Sequence, residues 1–319
     1  MKAYDVLKVL ADGKFWSGQK LGQQFGISRT AVWHQIQAIR EMGLEVFSVQ
    51  GKGYRLAEPL ELLDEKRIRS FIRNSQLNLT ILEEVDSTNR YLMQKRGNTP
   101  EKASACLAER QTSGRGRRGR AWVSPFGANI YMSLSWQFAK GINAIEGLSL
   151  VVAIAVVSAL ERQGATGLKI KWPNDIYYEG QKLAGILIEL AGEASGPCHL
   201  VIGIGINVNM PPSISQQIDQ PWIDLSSIFN GTISRNVLVG LVLDHLVEKV
   251  DEFEQVGFEP FREQWKQYDY LYNKPIDICD HDSSRQGIAK GIDESGALLV
   301  KFEGTVQRLL SGDVSVRTV

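Results

Sequence analysis

Little in this 319-residue sequence points to cross-linking or to metal capture. Its three cysteines, Cys106, Cys198 and Cys279, lie far apart with no C-x-x-C pair, which excludes a disulfide framework and fits reduced thiols. No set of metal-ligating residues is nominated. Net charge is also missing: 36 Lys plus Arg balance 36 Asp plus Glu, so any nucleic-acid role must sit on a local patch. The start, "MKAYDVLKVLADG", is amphipathic and does not read as a secretory leader. The most apolar run, "GLSLVVAIAVVSAL", is shorter than the roughly 20 residues of a membrane span and reads as a buried core helix. No internal repeat is present. These absences leave a cytoplasmic protein with no membrane role, and 43% hydrophobic residues supply a sizeable core.

What is present divides the chain into three segments of an α+β protein. Residues 1–63 read as helix, helix, Gly-containing turn, helix and β-hairpin. Ser17 precedes the second helix, and Ser28 caps a third, "RTAVWHQIQAIREMG", whose Ala31, Val32, Ile36 and Ile39 form one apolar stripe. This is a winged helix-turn-helix pattern, in which the exposed residues of the third helix meet base edges, or which serves only as a protein-protein or regulatory module; DNA binding is the expectation here. Ser28, Arg29, Thr30, His34 and Gln35 suit phosphate and base contacts, and Lys52 lies in the wing. Residues 1–58 carry eight basic and five acidic side chains, a balance of the right sign. Residues 64–268 mix strands with helices at about Ile145–Gln163, Arg235–Val256 and Phe258–Lys266, without strict βαβ alternation, which favours a mixed sheet. Residues 269–319 are short strands between Gly, Asp and Ser turns, the pattern of a small antiparallel barrel.

The stretch "QTSGRGRRGRAWVSP" matches G-x-G-x-x-G at Gly114, Gly116 and Gly119. A dinucleotide fingerprint must open a helix and be followed by an acid about 20 residues on. Here Pro125 and Gly127 lead into the strand "NIYMSLSW", and no Asp or Glu occurs between Arg110 and Glu146, so a nicotinamide oxidoreductase is excluded. A P-loop fails as well, because no Lys-Ser/Thr follows the last glycine. What remains is a loop with Arg115, Arg117, Arg118 and Arg120 and no acid nearby. Guanidinium forks match phosphate and carboxylate oxygens, and the like charges predict a loop that is mobile until an anion orders it.

Other polar groups stand in apolar surroundings. Ser87, Thr88 and Asn89 open a helix, where one caps and the others can hold a neutral polar ligand. Asn174 and Asp175 follow Pro173, Lys182 opens the apolar strand "KLAGILIEL", and Asn207 follows Gly203 and Gly205 in "GIGINVN". A lysine at the mouth of a central strand points into a site or lies on the surface, and the glycines mark close backbone approach or a bulge.

Taken together, Asp86-Ser87-Thr88-Asn89, Gln111, "GRGRRGRAW", "SPFGANIYMS", "KWPNDIYY", "KLAGILIEL" and "GIGINVN" closely resemble the biotin protein ligases. With both flanking segments, the chain is similar to the bifunctional subclass that is ligase and biotin operon repressor at once. The resemblance implies a ligase fold related to class II synthetases and a C-terminal SH3-like barrel. It also implies two reactions: biotin and Mg·ATP give biotinyl-5′-AMP, and the acyl group passes to one lysine of a biotin carboxyl carrier protein of acetyl-CoA carboxylase. The adenylate would act as corepressor, driving a homodimer onto biotin operator DNA. By the same resemblance, Ser87, Thr88, Asn89, Gln111, Arg115, Gly116, Arg117 and Lys182 bind biotin. Arg117, Arg120, Trp122, Asn174 and Asn207 meet the nucleotide, and Lys182, Arg117 and Asp175 are catalytic, Asp175 toward the acceptor lysine. Mg²⁺ would be held mainly by the ATP phosphates. An exposed sheet edge near "GIGINVN" is the expected dimer contact. The remaining alternative is a transcription regulator that only senses a small molecule.

Overall fold

The computed structural model describes residues 2–74, 76–95, 102–192, 197–229, 233–279, 284–310 and 315–318. Asp280, Asp313 and Val314, at the ends of two expected C-terminal strands, lie outside them.

The N-terminal unit comprises α1 (Ala3–Leu10), α2 (Gly18–Phe25), α3 (Arg29–Glu41) and the hairpin β1 (Val46–Val49) and β2 (Gly53–Leu56). Ser17 and Ser28 cap α2 and α3 as expected, accepting from the Lys20 and Ala31 amides, each at 3.1 Å. Val32, Ile36 and Ile39 are fully buried against Leu7, Leu10 and Leu21, whereas Ala31 is only half-buried at the margin of the stripe.

The central unit is a seven-stranded sheet of order β3-β4-β5-β9-β8-β7-β6. Its strands are β3 (Asn78–Leu82), β4 (Ala103–Ala108), β5 (Ile130–Phe138), β6 (Lys169–Lys171), β7 (Asp175–Tyr178), β8 (Gln181–Gly192) and β9 (Cys198–Ile206). Only β3 and β4 pair in parallel, so the sheet is mixed as expected. The helices, in chain order, are α4 (Glu65–Arg69), α5 (Thr88–Gln94), α6 (Leu148–Arg162), α7 (Pro212–Ser215), α8 (Leu225–Ile228), α9 (Arg235–Val256) and α10 (Arg262–Tyr268). The apolar run is α6, buried on nearly every side between α9 and the sheet. At about 1.5–3 kcal/mol for each fully buried aliphatic side chain, this layer fixes one face of the sheet. Strand alternation then turns Gly203, Gly205, Gly185, Leu187 and Ser133 to the opposite face, on which α5 packs.

"GIGINVN" does not lie at an edge. Its strand, β9, is hydrogen-bonded on both sides, to β5 and β8, so its backbone groups are spent within the sheet. The expected dimer contact there is therefore corrected; the outer strands are β3 and β6.

The C-terminal strands β10 (Pro275–Cys279), β11 (Ser284–Ile292), β12 (Leu298–Phe302), β13 (Thr305–Leu309) and β14 (Ser315–Thr318) form an antiparallel sheet of order β13-β12-β11-β10-β14. Its apolar face joins the central core, and the Trp172 indole donates to Gly296 O at 3.0 Å. The N-terminal unit is tied down differently. Phe126 packs edge-on to Tyr4, with ring centroids 6.2 Å apart. Glu109, fully buried, accepts from the Leu63 amide at 2.6 Å and pairs with Arg235. Burial pushes the Glu109 carboxyl upward, against the pull of Arg235.

Candidate functional site

A cavity of about 770 Å³ opens on the face of the sheet away from α6. The sheet register builds its floor. Ser133 of β5 lies opposite Gly203 of β9, which lies opposite Leu187 of β8. One row on, Tyr131, Gly205, Gly185 and Asp175 align across β5, β9, β8 and β7. The glycines make room. A Cβ on Gly203 would meet Asn89 Oδ1 at 2.3 Å, and one on Gly205 would meet the Trp122 ring at 2.4 Å. Of the two readings offered by the sequence, a bulge is absent, since β9 keeps regular register with both neighbours, while close approach still applies: both glycines line the cavity and also leave room for side chains.

One end of the floor is a closed polar network. Ser87 caps α5, its hydroxyl facing the Arg90 amide at 3.5 Å. The Thr88 amide and hydroxyl both donate to Gln111 Oε1, at 2.9 and 3.1 Å. Ser133 Oγ lies 2.7 Å from Thr88 Oγ1 and 2.6 Å from Asn89 Oδ1, so its single proton is shared between them. Asn89 Nδ2 donates to Glu189 Oε2 at 2.7 Å, and Gln111 Nε2 to Ser124 Oγ at 3.3 Å. Such a set in an otherwise apolar pocket fixes the orientation of a neutral polar group.

The other end is cationic. Residues 114–122 form a small hairpin, with Trp122 N to Gly114 O at 2.9 Å and Gly116 N to Arg120 O at 2.7 Å. Expected to be mobile without an anion, the loop here has a hydrogen-bonded backbone wedged by Trp122. A 3₁₀ turn, Arg117–Gly119, forms its tip, and no helix follows before β5, in accord with the exclusion of a dinucleotide turn. Arg118 and Gly119 both take positive φ, at 55° and 73°, whereas Gly116 is extended. Burial pulls the Arg117 guanidinium below its usual value; Asp175 opposes this, and Arg118 and Arg120 add to it. Arg117 reaches Asn174 Oδ1 at 3.4 Å, and Arg115 reaches Glu189 Oε1 at 3.3 Å. Lys182, mostly buried, pairs with Asp175 at 2.9 Å and lies 5.6 Å from the Trp122 ring centroid. The Trp122 indole N–H, over Gly205 of the floor, is buried without a hydrogen-bond partner among the described residues, at a cost of about 1–3 kcal/mol.

Every sequence-nominated biotin, nucleotide and catalytic residue lines this cavity: Ser87, Thr88, Asn89, Gln111, Arg115, Gly116, Arg117, Arg120, Trp122, Asn174, Asp175, Lys182 and Asn207. The two asparagines at the nucleotide end also have donors already engaged. Asn174 Nδ2 donates to Ile186 O at 2.6 Å, and Asn207 Nδ2 to Ile223 O at 3.1 Å, so each amide braces backbone as well as facing the cavity. Sequence reasoning missed Ser133 and Glu189, both hidden inside apolar strands. It also missed the strap Gln217–Trp222, whose Pro221 carbonyl accepts from the Lys182 amide at 3.0 Å.

On the winged helix, Ser28, Arg29, Thr30, His34 and Lys52 are exposed, while Gln35 is half-buried and turned off the outer face of α3. Trp33 and Gln37, which the sequence reading passed over, share that face with Thr30 and His34 at three- and four-residue spacing.

Comparison with known proteins agrees with this geometry. Residues 81–207 match the biotin/lipoate A/B protein ligase family, residues 2–55 an HTH domain, and residues 272–317 the biotin protein ligase C terminal domain. The chain is 42% identical to the bifunctional ligase/repressor BirA of Salmonella typhimurium, over 98% of this chain and 97% of that one. It is 31% identical to the Bacillus subtilis protein of the same description, over 96% and 95%. Among solved structures, biotin protein ligase from Aquifex aeolicus in complex with biotin and ATP superposes with a TM-score of 0.64 at 29% identity, covering 76% of this chain and 99% of that one.

Proposed function

The chain belongs to the family of bifunctional biotin ligase/repressors, and on that premise we propose that it activates biotin with ATP and transfers it to a carrier-protein lysine, and that it represses transcription with the adenylate as corepressor. The observation that carries the ligase reading is the cavity itself, polar and neutral at one end and cationic at the other. Biotin has the same polarity, with a ureido head on an apolar ring system and a carboxylate tail.

Thr88, Asn89 and Gln111 hold the ureido head, braced from behind by the buried Ser133, with Ser87 setting the helix start. The carboxylate then points toward Arg115, Gly116 and Arg117. Its oxygen attacks the α-phosphorus of ATP, an acyl-phosphate bond forms, and pyrophosphate leaves. Two anions must meet, and buried cations reduce that repulsion most where water is excluded. Lys182 takes this position at the α-phosphate, paired with Asp175, which in turn orients or deprotonates the acceptor lysine. Arg120, Trp122, Asn174 and Asn207 flank the nucleotide, and the orphan Trp122 N–H gains an acceptor from it. Mg²⁺ would enter with the ATP phosphates and screen their charge, without a cage of protein carboxylates. In the second step the lysine amine attacks the acyl carbon and AMP leaves. The lid protects the mixed anhydride from water until then.

The functional units are 1–63 for DNA, 64–268 for catalysis and 269–319 for the small β domain, acting as a homodimer on operator DNA in the cytoplasm. No described helix is long and apolar enough to cross a membrane. Mass spectrometry of a biotin carboxyl carrier domain incubated with the protein, biotin and ATP tests the ligase. A gain of one biotinyl group on one lysine is expected. An unchanged mass leaves the regulator that only senses a ligand. Gel shifts with and without biotin test repression separately.

A further inference from the structure

Trp33 stands out on the DNA-facing side of α3. Its side chain is 47% exposed, although nothing in the fold needs an aromatic there. It shares a face with Thr30, His34 and Gln37, opposite the buried Val32, Ile36 and Ile39. The ring is held in place. It meets His34 edge-on, with centroids 5.0 Å apart at 73°. With its amide oriented to satisfy both partners, Gln37 accepts from Trp33 Nε1 at 3.2 Å and from Arg40 NH1 at 3.1 Å.

That hydrogen bond decides what the side chain can read. Tryptophan has one polar atom, the Nε1–H donor. Here it is spent within the helix, so the exposed remainder of the ring is hydrocarbon. Base edges in the major groove are hydrogen-bond donors and acceptors with one apolar exception, the C5-methyl of thymine. A rigid ring with no free donor gains nothing from guanine, adenine or cytosine edges and loses nothing by covering a methyl. Arg29 beside it and Lys52 in the wing are exposed cations suited to the flanking phosphates.

We infer that Trp33 is a specificity-determining residue of the winged helix, selecting thymine at one position of each half-site by covering its C5-methyl. The inference rests on the DNA-binding reading above. It says nothing of protein partners, for which the same exposed ring would be a docking residue.

The test separates these outcomes. The full-length protein, with saturating biotin and ATP, is used to select duplexes from a random library. Each thymine of the selected site is then replaced by uracil, which deletes the methyl and keeps every hydrogen-bonding group. For the parent, one substitution per half-site weakens binding by about fourfold, the worth of one buried methyl. Trp33→Ala binds the thymine site about tenfold more weakly and is indifferent to uracil at that position, whereas Trp33→Phe keeps part of the preference. Thermal melting confirms that both variants are folded. A parent indifferent to every uracil, or a Trp33→Ala variant with undiminished methyl dependence, overturns the inference while the DNA-binding reading stands. A library from which nothing is retained overturns both.

Discussion

Beneath the cavity, Ser133, Thr88, Asn89 and Gln111 satisfy one another in a buried network, whereas above it Arg115, Arg117, Arg118 and Arg120 crowd four like charges into six positions. The floor is complete before any ligand arrives, and its hydrogen bonds belong to the folded protein. The lid has a formed backbone, but burial works against its Arg117 charge, so its electrostatics are completed by an anion. Such a site binds the neutral end of its substrate by preorganisation and commits its cations only when a carboxylate or phosphate is present. Substitutions in the two halves should therefore fail in different ways.

The largest effect is expected at the point where the halves meet. Lys182→Ala removes the cation held by Asp175 at the mouth of β8 and should lower adenylate formation by on the order of 10²–10³-fold, measured by pyrophosphate exchange. Biotin binding, which draws on the floor, should stay mostly intact. Parent-like exchange would remove Lys182 from the chemistry.

The next substitution tests the claim that the floor is prebuilt. Ser133→Ala strands Asn89 Oδ1 and Thr88 Oγ1 in a buried setting. It should cost about 1–3 kcal/mol of stability in urea melts of ligand-free protein, and biotin affinity should fall with it. Unchanged ligand-free stability would mean that the network forms only around biotin. Arg117→Gly should behave in the opposite way, with little stability lost without ligand, because burial already disfavours that charge. Its defect should appear after adenylation, as release of the intermediate about tenfold faster in a pulse-chase. Release at the parent rate would defeat lid closure.

These two substitutions also mark what the sequence could disclose. The arginine loop, the Ser87–Asn89 helix start and Lys182 were legible because each is local: a run of like charge, a cap, a cation at a strand mouth. α9 was read with its observed ends because a capping Ser234 opens it and Gly257 closes it. Ser133 was not legible, since its partners lie 44 and 45 residues away and its strand is buried on both faces. Gly203 and Gly205 read as ligand approach or a bulge; that they also make room for Asn89 and Trp122 was not legible, because those side chains come from distant segments. The expected edge at "GIGINVN" failed for the same reason: strand order is a long-range property, and a strand apolar on alternate residues looks alike at a sheet's edge and at its centre.

Glu189 touches both halves, and substituting it should give the smallest effect. Its carboxylate accepts from Asn89 in the floor at 2.7 Å and pairs with Arg115 of the lid at 3.3 Å. Glu189→Gln keeps an acceptor for Asn89 and removes the charge that Arg115 sees. If the lid cations wait for an anion, Glu189 competes with the substrate carboxylate for Arg115, and the substitution should tighten biotin binding by about twofold, within the range of a solvent-screened pair. The gain should shrink from low to physiological salt in calorimetric titrations, because the competing attraction is itself screened. Weaker binding would assign Glu189 the other role, that of holding Arg115 in place for the substrate, and the lid would then be as prebuilt as the floor.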